Sequence, residues 1–391
     1  MRQALIVVEP YGKRLVVRKG VKLLDALLTN GVPVRSDCGG VGACGKCKVI
    51  VREGEVSPLT EVELNLLSRE EVENGYRLAC QVKVLGDVTV YIPEESRVLK
   101  RRMQVEGVTR EVKLLPAVEK VYIQVKPSSL SDLRADCERV LEKLGKVEVP
   151  LSVLRRLPSL LREGGWRVTV TLWKGRKVIS VDPGDTRGRV YGVAVDLGTS
   201  KIACCLVNLA NGEVLARASV ENPQLLRGED VISRISYASQ SAGKLEELRK
   251  LAVKGVNKVI NECLSQARVK PGEVYEVVVV GNTAMHHLFL GVDVKYLGLA
   301  PYTPAVKGPL NLRAGDLGLS VNKEANVHLP PVVAGFVGAD AVAVTLTTGI
   351  AESRELSLAF DIGTNTEVIV GSKDGFYMTS VSYTHLTLPT N

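Results

Sequence analysis

Long hydrophobic runs are missing from this sequence. The longest apolar stretches, such as residues 277–280, are far shorter than the ~20 residues that span a bilayer, so no transmembrane helix is expected. Residues 1–8 alternate like a strand and lack the apolar region and small-residue cleavage site of a secretory signal. We therefore expect a cytoplasmic protein that does not bind a membrane.

The sequence also lacks a segment in which charge of one sign is concentrated. The formal net charge is +8, but Lys and Arg are scattered, and the single basic run is Lys100-Arg101-Arg102. A nucleic-acid-binding protein usually carries a basic patch or stripe, so nucleic acid is not expected as a partner. With 391 residues, 45% of them hydrophobic, the chain is long enough for several globular domains.

Cysteine, by contrast, occurs eight times. Disulfides are rare in the cytoplasm, so these residues point to metal or redox chemistry. An iron–sulfur cluster needs thiolates that converge from one loop and from a more distant anchor. Glycines at residues 36–46 allow turns that a β-carbon would forbid, and they let N–H groups approach the sulfides. We predict a [2Fe-2S] cluster held by Cys38, Cys44, Cys47 and Cys80.

Zinc is the alternative, because four thiolates also satisfy a tetrahedral site. Zinc ribbons usually pair two C-x2-C knuckles, whereas Cys80 has no close cysteine partner. The spacing C-x5-C-x2-C resembles the adrenodoxin-like branch of ferredoxins rather than the plant type. The other cysteines are expected to be buried and structural: Cys137, Cys204, Cys205 and Cys263.

The elements around the four cysteines can be predicted from residue patterns. Residues 4–9 and 14–17 read as a hairpin, residues 22–30 as a helix that ends at Gly31, and residues 47–52 as a strand. Thr60 and Glu63 predict a capping box, and strands follow at residues 78–84 and 88–92. This order resembles the β-grasp fold of ferredoxins, so we expect such a domain at residues 1–93 and a linker at residues 94–114.

A small α/β domain is expected at residues 115–188. Residues 117–126 and 166–173 alternate like strands, and residues 130–144 and 151–162 show helical periodicity. No motif in this region indicates chemistry, and its tryptophans, Trp166 and Trp173, are expected in the core.

Two strand-loop-strand segments carry candidate phosphate-binding residues. The strand at residues 191–195 enters Asp196-Leu197-Gly198-Thr199-Ser200, and the strand at residues 358–360 enters Asp361-Ile362-Gly363-Thr364-Asn365. Glycine permits close backbone approach, hydroxyls can donate to phosphate oxygens, and a carboxylate can hold Mg²⁺ through water. The alternative is two unrelated turns, and the same pattern of residues after a strand would then have to occur twice by chance.

The repeated loop resembles the phosphate-binding hairpins of the acetate kinase, sugar kinase, Hsp70 and actin superfamily. The resemblance implies an incomplete RNase H-like ATPase domain at residues 189–380, with the first half and the start of the second half, and it implies that the complete protein uses ATP with Mg²⁺. It gives catalytic roles to Asp196 and Asp361, and nucleotide binding to Gly198, Thr199, Ser200, Gly363, Thr364 and Asn365.

A ferredoxin domain joined to this ATPase plan resembles the reductive activators of corrinoid enzymes, as do residues 221–224, 228–234 and 281–287. In that family ATP helps to drive one electron from the cluster to cob(II)alamin on a corrinoid methyltransferase protein, which restores cob(I)alamin. The resemblance therefore implies a corrinoid protein and a low-potential electron donor as partners. No corrinoid-binding signature is visible, consistent with a corrinoid that belongs to the partner.

Two other functions stay open at the level of sequence. The chain could be a simple electron carrier with a docking module, indifferent to ATP, or a kinase for a small metabolite with an accessory cluster. Residues 381–391 have no counterpart in the family and are expected to be a non-native tail on a truncated activator. We expect the distal half to be unstable, with Val368 and Val370 on an apolar face that no helix covers.

Overall fold

The computed structural model describes residues 3–97, 112–363 and 365–382. Thr364, residues 383–391 and most of the expected linker, residues 98–111, lie outside the described residues. The chain forms two compact units. The first comprises Met1–Gln104, Glu221–Ala252 and His287–Ala305, and the second comprises Val105–Val220, Val253–His286 and Val306–Asn391.

The N-terminal region is the expected β-grasp domain. Its elements are β1 (Gln3–Glu9), β2 (Lys13–Arg18), α1 (Leu23–Thr29), β3 (Lys48–Val56), α2 (Glu61–Leu66), α3 (Arg69–Glu73), β4 (Tyr76–Leu78) and β5 (Val84–Tyr91). The strands form one sheet in the order β2-β1-β5-β3-β4, in which β1 and β5 run parallel. The apolar face of α1 is buried with the inward residues of β1 and β5 in a single core. The opening hairpin and α1 confirm the pattern read from the sequence.

One predicted strand of this domain is wrong. The sequence predicts a strand over residues 78–84, but β4 ends at Leu78 and the chain turns at residues 79–81. The N–H groups of Gln81 and Val82 both donate to the Leu78 carbonyl oxygen, at 2.8 and 3.1 Å. The apolar residues here are buried by the turn rather than by strand pairing. Cys80 therefore lies in a turn and not on a strand.

The segment after the linker is a small α/β fold. It contains β6 (Val118–Gln124), α4 (Asp136–Leu144), α5 (Leu151–Leu154), α6 (Leu157–Glu163), β7 (Arg167–Trp173) and β8 (Lys177–Pro183), with an antiparallel sheet β6-β7-β8. The helix expected from residue 130 begins at Asp136, because Ser129 and Asp132 close a turn with reciprocal backbone hydrogen bonds. The helix expected at residues 151–162 is split into α5 and α6, since Pro158 has no N–H to donate to the Leu154 carbonyl oxygen and is tolerated only in the first turn of a helix.

The next region has a mixed six-stranded sheet in the order β11-β10-β9-β12-β14-β13. Its elements are β9 (Tyr191–Leu197), β10 (Lys201–Asn208), β11 (Val214–Glu221), α7 (Val231–Ala238), α8 (Ala242–Ala267), β12 (Val274–Val280), α9 (Thr283–Leu290), β13 (Leu310–Arg313), α10 (Ala314–Leu317) and β14 (Asn326–Leu329). Strand β10 runs antiparallel to β9, whereas β12 is parallel to both β9 and β14. This is the RNase H-like architecture that the sequence predicts.

A second, smaller sheet begins the repeat. Helix α11 (Ala339–Thr348) precedes the antiparallel strands β15 (Ser357–Ile362), β16 (Asn365–Ser372) and β17 (Gly375–Ser382). One face packs Ile369 against α11. The opposite face leaves Leu358, Phe360 and Ile362 exposed, with Phe360 at 55%. Strand β17 continues two residues into the segment expected to be a non-native tail.

Among the residues that the structure describes, no helix is both long enough and apolar enough to cross a bilayer.

Candidate functional site

The four cysteines predicted as cluster ligands lie together in the first unit. The Cys44 thiol donates to Cys38 Sγ at 3.3 Å, and this hydrogen bond lowers the pKa of Cys38 to about 4 against the opposing effect of burial. Cys47 and Cys80 form a second, buried pair, in which the hydrogen bond between the thiols raises the pKa of Cys47 and lowers that of Cys80. Two thiol pairs match a cluster with two irons, each of which takes two cysteine ligands.

A mononuclear zinc site fits less well. Within residues 3–97, 112–363 and 365–382, no three Cys, His, Asp or Glu side chains converge as one metal ion requires. The loop itself has the geometry that a cluster needs, because its four glycines all have positive φ: Gly39, Gly40, Gly42 and Gly45. When bound, the cluster would supply one-electron transfer, and backbone N–H groups of this loop would be available to its sulfides.

A buried carboxylate holds the turn that carries Cys80. Glu63 is fully buried and accepts hydrogen bonds from Arg77 Nε at 2.8 Å, Arg77 Nη2 at 3.0 Å and the Leu78 N–H at 3.0 Å. It also closes the predicted capping box with Thr60 at the start of α2. The Ala79 N–H then donates to the Cys47 carbonyl oxygen at 2.9 Å, which fixes the backbone of the two ligands in the buried pair together.

The sequence identifies Glu63 only as a helix cap. Its pairing with Arg77 spans 14 residues and depends on how β4 passes α2. Burial opposes ionisation, but the hydrogen bonds from Arg77, Thr60 and Leu78 outweigh it and lower the pKa of Glu63. The carboxylate therefore stays charged inside the domain and links a helix start to a cluster ligand.

The cluster loop also has an accessible side. A cleft beside Cys44 is lined by Arg35, Lys46, Lys48 and Leu66. Val41, Leu64 and Leu66 expose apolar side chains on the same loop and on α2. A small apolar surface near one edge of a redox centre gives a partner a place to approach closely enough for electron transfer.

In the second unit, two loops pack in succession beside the first predicted phosphate hairpin. A β-carbon on Gly281, after β12, would lie 2.7 Å from the Leu197 carbonyl oxygen, and one on Gly338, before α11, would lie 2.4 Å from Asn282 Cα. The Ala339 N–H donates to the Gly281 carbonyl oxygen at 3.0 Å. Glycine is required at these positions because no side chain fits between the backbones.

Asn282 connects these loops to the hairpin. Its Nδ2 donates to Thr199 Oγ1 at 2.9 Å, while its Oδ1 accepts the Met285 N–H at 3.0 Å at the start of α9. The Gly281-Asn282-Thr283 motif stands out in the sequence, but no local pattern gives Asn282 a role. Thr199 is thereby oriented by a buried amide, as a hydroxyl that must donate to a ligand would need to be.

Carboxylates collect at the same end of the two sheets. Burial and the nearby charges of Asp340 and Asp361 raise the pKa of Asp196 to about 7, although its side chain is open to solvent on one side. Burial raises the pKa of Asp340 to about 6, with Asp361 adding to the effect, and burial alone raises that of Asp361. Because like charges disfavour ionisation, a cation bound near these carboxylates would lower the pKa values again.

Two members of this cluster are absent from the sequence-based site. Asp340 opens α11, and Glu367 lies on β16, where burial raises its pKa to about 7. Asp340 ends the glycine-containing segment Gly335-Phe336-Val337-Gly338-Ala339-Asp340, whereas Glu367 follows the second loop without any signal. Gly198 and Ser200 lie in the first hairpin and Gly363 and Asn365 in the second, so their nucleotide roles stay predictions.

The remaining cysteines are only partly as expected. Cys204 and Cys263 are buried, and Cys263 donates to the Cys204 carbonyl oxygen at 3.5 Å. Cys137 and Cys205 are half-buried rather than buried. Cys205 is on a strand whose side chains alternate between the core and a partly open face, and Cys137 packs at the edge of its core. Similarly, Trp166 and Trp173 pack against cores but remain half-buried.

Comparison with known families explains this combination. The model of the RACo middle region matches residues 191–353, and that of the RACo linker region matches residues 107–188. The chain is thus similar to RACo proteins over two consecutive regions. The 2Fe-2S iron-sulfur cluster binding domain matches residues 6–85, so the RACo regions follow a ferredoxin domain that binds a [2Fe-2S] cluster.

Individual proteins show the same similarity. The corrinoid activation enzyme RamQ of Eubacterium limosum is 30% identical over 370 residues, which are 92% of this chain and 57% of RamQ. A solved reductive activator for corrinoid, iron-sulfur protein is 32% identical, with a TM-score of 0.64 over 97% of this chain and 63% of its own. One component of the Na⁺-translocating NADH-quinone reductase of Idiomarina loihiensis is 40% identical over 91 residues, which are 23% of this chain and 22% of that component. The chain thus spans less than two thirds of either RACo relative.

Proposed function

We propose that this protein uses ATP to reduce a corrinoid protein by one electron, converting cob(II)alamin to cob(I)alamin through its [2Fe-2S] cluster. The observation that carries the proposal is the occurrence, in one chain, of two converging thiol pairs and of carboxylate-lined glycine loops. The names of RamQ and of the solved activator support the corrinoid as the electron acceptor. A low-potential donor would supply the electron.

The residues of the first unit bind and orient the redox centre. Cys38 and Cys44 would hold one iron, and Cys47 and Cys80 the other, since these are the pairs that lie in contact. Metal binding displaces the thiol protons, and within each pair the hydrogen bond favours thiolate at Cys38 or Cys80 while it holds the proton on Cys44 or Cys47, so the metal must displace the second proton of each pair. Gln81 Nε2 donates to Cys80 Sγ at 3.4 Å and would stabilise that thiolate.

The residues of the second unit would bind Mg-ATP. Asp196, Asp340 and Asp361 would hold Mg²⁺ through water, because they do not converge on one ion directly, and the Thr199 hydroxyl, oriented by Asn282, would donate to a phosphate oxygen. For the transfer of one electron, each tenfold decrease in the equilibrium constant corresponds to 59 mV, or about 1.4 kcal/mol. Nucleotide can offset this cost only by binding two conformations of the protein with different affinities.

The test is a visible spectrum of an anaerobic mixture of the protein, a reductant and a cob(II)alamin protein, recorded with and without Mg-ATP. We expect cob(I)alamin to accumulate only with ATP, and ADP and phosphate to be released. Reduction that is indifferent to ATP would establish a simple carrier instead. A phosphorylated metabolite would establish a kinase.

Two variants separate the parts of the proposal. Asp196→Ala should remove ATP hydrolysis but leave the cluster reducible by dithionite, because the two sites are built from different residues. Asp374→Ala, an exposed aspartate in the turn before β17, is the matched control and should change neither property. Loss of the cluster spectrum in the Asp196 variant would contradict this division of roles.

A further inference from the structure

A segment far along the chain lies against the cluster loop within the first unit. Residues 222–229, here called the strap, include the 3-10 helix Pro223–Arg227. A β-carbon on Gly39 would lie 2.0 Å from the Arg227 carbonyl oxygen, so strap and loop are in direct backbone contact beside the ligand Cys38. The Glu229 N–H also donates a hydrogen bond to the Asp37 carbonyl oxygen, at a distance of 3.4 Å. Leu226 packs on the ferredoxin core.

The strap has a fixed shape of its own. Gln224 and Arg234 are both fully buried, and Arg234 donates to Gln224 Oε1 at 3.1 Å and to the Gly228 carbonyl oxygen at 2.9 Å. Gln224 Nε2 donates in turn to the Leu248 carbonyl oxygen at 2.9 Å. Buried polar groups with these partners specify one conformation, because each would be costly to leave unpaired.

Arg227 places a largely buried positive charge between the strap and the ferredoxin domain. Its Nη1 lies 3.1 Å from Asp25 Oδ1 on α1, and its Nε lies 2.7 Å from Glu247 Oε1 on α8. The side chain is 16% exposed. Tyr237 donates to the other oxygen of Glu247 at 2.7 Å and stacks near the guanidinium. Removing Arg227 would leave Asp25 and Glu247 without this shared cation.

We propose that the strap is a positioning element for the cluster loop, with Arg227 as its positioning residue. Contact at Gly39 keeps the Cys38 side of the loop ordered and shielded from solvent. The fixed cation favours the extra negative charge that the cluster gains on reduction, as charges and hydrogen bonds around such clusters do. This inference rests on the cluster of the proposed function, but on neither ATP nor corrinoid.

The effect of the Arg227 charge on the cluster is tested by a redox titration of the cluster-loaded full chain, monitored by electron paramagnetic resonance. Arg227→Gln should make reduction at least threefold less favourable, about 30 mV by the 59 mV per tenfold relation. Arg227→Lys should restore most of the loss, and Asp25→Asn should shift the potential the opposite way. Arg69→Gln is the control, because Arg69 is a 94% exposed arginine of the same domain. Equal shifts in the Arg227→Gln and Arg69→Gln variants would overturn the proposal.

The contact between the strap and the cluster loop is tested by a pair of glycine variants in that loop. Gly39 and Gly45 have φ of +64° and +65°, so alanine costs similar backbone strain at both, but only Gly39 touches the strap. Gly39→Ala should release iron to a chelator at least fivefold faster than Gly45→Ala and should raise hydrogen exchange in residues 222–229. Equal release with unchanged exchange would overturn the strap's role. An unmodified chain without cluster absorption would instead overturn the cluster assignment and this proposal together.

Discussion

Replacing Glu63 by Gln should destabilise the ferredoxin domain far more than an isosteric change on a surface would. In the folded domain the two carboxylate oxygens accept from Arg77, Thr60 and Leu78 and have no contact with solvent. A glutamine amide retains one oxygen but turns an NH₂ group toward donors. At least one buried N–H then loses its acceptor, and Arg77 loses its counter-charge.

The cost can be estimated from these contacts. Breaking a buried ion pair by removing one charge costs about 3–5 kcal/mol, because the other charge stays buried. Arg77 keeps bonds to the carbonyl oxygens of Ser57 and Pro58, at 2.9 and 3.1 Å, which favours the lower end of that range. At about 1.4 kcal/mol per factor of ten, hydrogen-exchange protection of the β3 and β4 amides should fall roughly a hundredfold to a few thousandfold.

Glu71→Gln is the matched control. Glu71 is also the third residue of a capping box, with Ser68, and also pairs with a cation, Lys48, but this pair is partly exposed. Exposed pairs contribute about 0–1 kcal/mol, so protection should fall less than about fivefold. Hydrogen-exchange mass spectrometry of the cluster-loaded chain measures both variants. Equal losses in the Glu63→Gln and Glu71→Gln variants would refute the reasoning.

The same group predicts a pH dependence. The pKa of Glu63 is lowered in the folded domain, relative to about 4.3 for an unfolded chain. The unfolded state therefore binds the proton first, so the stabilisation is complete above pH ~4.3 and is lost as the pH falls through the folded pKa. In the Glu63→Gln variant this part of the acid sensitivity should disappear.

Three further changes test the other sites. Cys80→Ser should abolish the visible absorption and the iron and sulfide content, whereas Cys204→Ser should leave both intact; a cluster that survives the first change would contradict the ligand set. Asn282→Ala should lower ATP hydrolysis by at least tenfold without changing the cluster spectrum, because Thr199 loses a buried donor. Phe360→Ser should reduce binding of an apolar dye at unchanged melting temperature, while Ile369→Ala, on the buried face, should cost about 2–5 kcal/mol by calorimetry.

Local signals account for the parts of the fold that sequence predicts well. The Thr60–Glu63 capping box, helix α1 and strand β9 each depend on residues that are neighbours in the chain. Prediction failed where burial imitated strand alternation, at residues 79–83. A core-facing turn and a half-buried strand give the same apolar spacing, and only hydrogen-bond partners distinguish them.

The residues of the candidate sites also divide into those that local spacing predicts and those that only tertiary packing brings together. Spacing alone singles out the four cysteines and the two Asp-x-Gly loops, and their roles stay predictions. Asp340, Glu367 and Asn282 join the second site through parallel strand order and helix placement, over separations of 83 residues in the case of Asn282 and Thr199. The bridge from Arg227 to Asp25 spans 202 residues and has no local signature. Such contacts follow from tertiary packing, which a single sequence does not encode in any short pattern.

The exposed face of the small sheet has a consequence for work with this 391-residue chain. Leu358 and Phe360 stand opposite Val370 and Val368 of β16, and Tyr377 extends the same face on β17. Contiguous exposed apolar surface of this kind promotes association between molecules. Copies of the chain in concentrated solution should therefore associate through these three strands.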